Sequence, residues 1–145
     1  MANTKNTNSE TSSWKELYIL SDHWKSDMEF YQDDLRFLHH LIDKYIIWIT
    51  KDKNLKLVEE LRNHLLELRT NSTELLEKIT DHRTEIGRII DKTSNIKESY
   101  ITKEHHQLEK GIADFVKAFR ENRKSVFQIT EYVIDNEELV NVLRS

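Results

Sequence analysis

Three long series of apolar residues, spaced alternately three and four apart, constrain this chain more than anything else in it. The first runs Trp14, Leu17, Ser21, Trp24, Met28, Tyr31, Leu35, Leu38, Ile42, Tyr45, Ile49. The second runs Val58, Leu61, Leu65, Leu68, Ser72, Leu75, Ile79, His82, Ile86, Ile89, and the third His105, Leu108, Ile112, Phe115, Phe119, Asn122, Val126, Ile129, Val133. This spacing puts every member of a series on one stripe of an α-helix, and a stripe kept over more than three heptads predicts long, coiled-coil-like helices. Nothing in the chain interrupts them: it has no Pro and two Gly in 145 residues. Folds rich in strands or Gly-rich phosphate loops draw their turns from those two residues. The expected fold is therefore all-α: an elongated antiparallel up-down-up bundle of three helices over roughly 13–50, 54–92 and 96–140, open to completion by dimerisation.

The boundaries follow from local chemistry. Ser13 with Glu16, and Asn95 with Glu98, have capping-box spacing ahead of the first and third helices. Thr50-Lys51-Asp52-Lys53-Asn54 breaks the first two series, and Thr93-Ser94-Asn95 the last two. Residues 1–12 are polar, too poor in apolar side chains to pack, and are expected to form a disordered tail ahead of one helical domain, 13–145. Val140 and Leu143 continue the third series past the bundle. For packing, one flank of the first two helices pairs Trp48 with Leu57, Leu41 with His64 and Asp27 with Lys78, whereas the other brings Lys25 near Arg83. The first flank is the expected contact. Leu76 with Val116 and Arg83 with Glu109 then align the second and third helices, at the cost of Arg69 near Arg123. In that arrangement Gly111, Ala118 and Ser125 turn toward the first helix.

Net charge and cysteine use exclude several function classes. The formal net charge is -4, without the cationic segment a nucleic-acid binder needs. With no Cys there is no disulfide framework, thiolate nucleophile or Cys-ligated zinc. The longest apolar run, Tyr45 to Ile49, is far short of the ~20 residues of a membrane span, and no interfacial helix is flanked by Lys and Arg. The expected chain is cytoplasmic, with neither nucleic acid nor membrane as partner, and carries no cofactor.

Polar residues inside the series are the first candidates for a site. Tyr31, Ser72 and Asn122 are expected as a core polar layer that sets register. His82 and His105, with Ser21 nearby, invite a metal or cofactor bound in the bundle core. The di-iron pattern of such bundles, however, pairs core Glu residues with Glu-x-x-His, and no Glu here precedes a His by three. His39 with Asp43, Glu60 with His64 and His23 with Asp27 have i,i+4 spacing, which a charged helix produces by chance. Asp33-Asp34 looks like a catalytic pair, but the acids of the first helix (Asp27, Glu29, Asp33, Asp34) fall level with bases of the third (Lys117, Arg120, Arg123, Lys124), where mutual neutralisation accounts for them. No nucleophile or activated base is identifiable, so no enzyme is expected.

The first helix carries apolar surplus beyond its stripe. Phe30 and Phe37 lie one heptad apart and off the seam, with Leu41 and Trp48 at the edge toward the second helix. Such a face marks association with a protein partner or a second copy, and these four residues are the expected interface. The alternative is a metal- or cofactor-binding bundle using the core histidines.

Overall fold

A computed structural model describes residues 2–48 and 52–135, with side chains over 13–48 and 54–135. It contains three α-helices and no strand among the described residues: α1 (Ala2–Tyr45), α2 (Asp52–Ile90) and α3 (Glu98–Asp135), with a 3₁₀ turn, Ile46–Trp48, closing α1. The all-α three-helix bundle is thus the observed fold. No described helix is long and apolar enough to cross a membrane. The stretch 2–12, expected as a disordered polar tail, is instead helical and forms the start of α1, while the side chains of residues 1–12 fall outside the described residues, as do Val140 and Leu143. Ser13 is inside α1 and so is not its cap; the polar stretch before it contains neither Pro nor Gly to stop a helix.

The turn between α2 and α3 has its own device. Thr93 N donates to Arg88 O and Lys92 N to Ile89 O, with Lys92 left-handed at φ 59. This is the Schellman closure of a helix C-terminus. Ser94 Oγ accepts from Ile96 N and donates to Glu85, and the Lys97 carbonyl receives Ile101 N as α3 begins. Asn95 is therefore not the α3 cap; Lys97 occupies that position.

Two compact units are present, each built from a segment of all three helices. In the first (1–30 and 73–113), Ser21, Trp24 and Met28 of α1 pack with Ile79, His82 and Ile86 of α2 and with Ile101, His105 and Leu108 of α3, and Glu85 of α2 is buried at the edge beside Ser94. In the second (31–72 and 114–145), Leu35, Leu38 and Ile42 pack with Val58, Leu61, Leu65 and Leu68, and with Phe115, Phe119, Val126, Ile129 and Val133. Of the apolar side chains named, all but Ile101 belong to the three heptad series, and Ile101 extends the third by one step.

The contacts correct the expected flank. In the first unit Arg83 Nε lies 3.0 Å from Asp22 Oδ1, with its guanidinium over Tyr18, and in the second Arg62 pairs with Asp43 at 3.0 Å. Passing from Asp22 to Asp43 on α1 and from Arg83 back to Arg62 on α2 covers equal numbers of residues, so the register between the helices is as expected. The facing side is the opposite one: the arginine flank of α2 meets α1, while Lys78 lines a groove with Glu104, Gln107 and Gly111 of α3 instead of meeting Asp27. The reason is that Lys25 is drawn to Glu29 at 2.8 Å and Arg83 to Asp22, which removes the repulsion that had argued against this flank. Gly111 accordingly faces α2, where an added Cβ would sit 3.4 Å from Leu75. The row of Gly111, Ala118 and Ser125 is not turned toward α1. The α2–α3 register is also shifted, as His82 meets Glu104 and His105, so Arg83 goes to Asp22 rather than Glu109. Arg123 pairs with Asp34 of α1 rather than crowding Arg69.

Candidate interaction surface and buried histidine pair

Each unit leaves an aromatic ring of α1 largely in water. Phe30, in the first unit, is 66% exposed and Phe37, in the second, is 52% exposed. Both are off the buried stripe, as their spacing from it requires. Leu41 and Trp48 are half-buried, and Ile47 beside Trp48 is 74% exposed. Leu41 lies in the same helical row as Asp34, which reaches α3 through Arg123; this edge of the stripe therefore borders α3 and not α2.

The three polar core residues make different contacts. Ser72 is fully buried and its hydroxyl donates to Arg69 O at 2.7 Å. Asn122 is 2% exposed; its Nδ2 donates to Leu61 O at 3.3 Å, and its Oδ1 has no hydrogen-bond donor among the described residues. The Tyr31 ring packs on Phe115 and Phe119 at centroid distances of 5.8 and 4.9 Å. Leu61 and Ser72 are about three turns apart on α2, so Asn122 and Ser72 do not share a layer. The expectation of a single polar layer aligned α2 and α3 by charge matching, and the true register separates its members.

The first unit holds the most polar part of the core. His82 Nδ1 donates to Glu104 Oε1 at 2.7 Å, and His82 Nε2 is bonded to His105 Nδ1 at 2.9 Å. Trp24 stacks on His105 with centroids 4.5 Å apart. Ser21 is excluded from this network, its hydroxyl donating to Leu17 O at 2.8 Å in its own helix. Burial first, and His82 next, push His105 from 6.5 down to about 4, against the opposing pull of Glu109. With neutral rings and Nδ1–H of His82 given to Glu104, Nε2 of His82 accepts and His105 donates from Nδ1. A proton added to one ring leaves the bond between them intact. A proton on both would set N–H against N–H.

This geometry bears on metal binding. A metal takes the lone pairs of imidazole nitrogens, and here three of the four ring nitrogens are engaged with each other or with Glu104. Among the described residues no group of three His, Asp or Glu side chains is placed to hold a metal ion. Of the i,i+4 pairs, half-buried His39 meets Asp43 at 3.3 Å, and Asp43 also lies 3.0 Å from Arg62, while His23, Asp27, Glu60 and His64 are exposed. Comparison with protein-family models, curated proteins and solved structures returns no match to this chain.

Proposed function

We propose that the chain works by protein–protein association through the outer face of α1, as a non-enzymatic scaffold whose partner is another protein or a second copy. The observation that carries this reading is the exposure of Phe30 and Phe37, at 66% and 52%. Removing a large aromatic ring from water contributes about 1.5–3 kcal/mol, which is why such rings anchor interfaces and are costly to leave uncovered. Leu41, Ile47 and Trp48 enlarge the apolar surface on the second unit. The buried histidines support a structural part for themselves, because three of their four ring nitrogens already bond to each other or to Glu104.

The test is the double variant Phe30→Glu/Phe37→Glu, compared with wild type by multi-angle light scattering and by partner recovery from the native cell. The expected result is a smaller assembly or loss of the recovered partner, at unchanged helicity. A variant that keeps both the wild-type mass and the wild-type partners refutes the reading.

A further inference from the structure

The second unit carries a face that is complementary to itself. Tyr31 lies between Phe115 and Phe119, so Asp33 stands level with Arg120, and Phe37 with Arg123 and Lys124. Arg123 spans the boundary between α1 and α3: its Nε is 3.5 Å from Asp34 Oδ2 and its guanidinium lies 4.7 Å from the Phe127 ring. Arg120, Lys124 and Phe127 line one open groove with Arg123, and Gln128 and Glu131 close it beyond the level of Asp33 and Phe37. Crossing the face from α3 to α1, helical geometry gives Lys124, then Arg120 and Phe127, then the Arg123–Asp34 pair, then Phe37, then Asp33. One edge is cationic, the middle is aromatic and the far edge is anionic. Asp33 is 73% exposed, held by Arg36 at 3.1 Å from the side away from α3.

Two copies can meet face to face about a two-fold axis lying in the interface. An axis across the helices sets the acidic edge on the acidic edge and the basic edge on the basic one. An axis along the helices exchanges the edges, and Asp33 of each copy then arrives, at the same height, opposite Arg120 and Lys124 of the other. We propose that a second copy of this chain docks on the α1–α3 face of the second unit with its helices parallel, Phe37 and Phe127 in the middle and Asp33 paired with the partner's Arg120. Like charges facing each other oppose the crosswise alternative, and opposite charges select this one. The proposal rests on the association reading above and names its occupant and orientation.

Charge reversal tests it on the full chain. Asp33→Arg and Arg120→Asp are each expected to weaken the dimer about tenfold or more, equivalent to about 1.4 kcal/mol. Asp33→Arg/Arg120→Asp in one chain is expected to restore it, all at wild-type helicity by circular dichroism. In the crosswise arrangement every reversal still pairs like with like, so no single variant stands out from wild type or from the double. Single variants as dimeric as wild type, or a double variant that stays monomeric while folded, overturn the proposal. So does a wild-type chain that sediments as a monomer at every concentration tested. If that monomer still loses a cellular partner on Phe37→Glu, the association reading survives and the second copy alone is refuted. If Phe37→Glu changes neither mass nor partner binding, both fall.

Discussion

Acid should loosen the first unit through one residue, His105. Its folded-state value of about 4 lies below the ordinary 6.5 of an unfolded chain. Between those values the unfolded chain binds more protons than the folded one, so stability falls as pH falls. The contribution is complete above pH ~6.5. Working through the linkage relation, about 1.4 kcal/mol is lost by pH ~5.5 and about 3 kcal/mol by pH ~4, after which the loss levels off. These are large fractions of the stability of a domain this size. Carboxylates that titrate in the same range also contribute, so the informative quantity is a difference. His105→Asn keeps an amide near the place of Nδ1 and has no proton to gain. Urea unfolding followed by circular dichroism at several pH values between 4 and 7 gives stability curves for both proteins. The wild-type curve is expected to fall more steeply than that of the variant, by about 3 kcal/mol over the range. Parallel curves would sink the reasoning, because they would mean that His105 is no harder to protonate in the folded core than in the unfolded chain.

Three further perturbations follow from the packing. Asn122→Leu removes a buried acceptor without a described donor and a 3.3 Å bond, so stability measured by urea unfolding is expected to rise by about 1–2 kcal/mol; a loss of that size would show that the amide is well satisfied. Lys92→Gly relieves the left-handed backbone at φ 59 and is expected to raise the thermal midpoint, the gain being about 1 kcal/mol, with no change in helicity. Gly87→Ala places a methyl 3.5 Å from the Tyr18 ring, an ordinary contact, and is expected to add somewhat less than ~1 kcal/mol of helix propensity in the same assay; destabilisation would indicate that Tyr18 cannot yield.

The heptad series made the helices and nearly all of the core legible, because a period of 3.5 admits one buried stripe per helix. Phe30 and Phe37 were legible as surplus for the same reason: they are apolar at positions the stripe does not use. Which flank of α2 turns to α1 was not legible. Both choices present charges, and their energies differ by the small amounts that surface pairs contribute. The deciding contacts, Arg83 with Asp22 and Arg62 with Asp43, join flank positions to residues further round α1, beyond strict heptad pairing. His82 and His105 were visible as polar interruptions of two series. Their mutual bond was not, since it depends on an α2–α3 register that sequence charges placed almost two turns away. Glu104 was missed altogether. It flanks the seam beside His105, and a search for acids next to polar seam residues would have found it.

The stacking of Trp24 on His105 also gives the molecule an internal optical probe. An imidazolium accepts an excited electron from indole far better than a neutral imidazole does, and the rings are 4.5 Å apart. Emission from this one indole therefore dims when its neighbour gains a proton. Trp14, ten residues earlier on α1, and Trp48, in the second unit, supply the rest of the emission. Fluorescence can thus follow the charge state of His105 within the folded first unit.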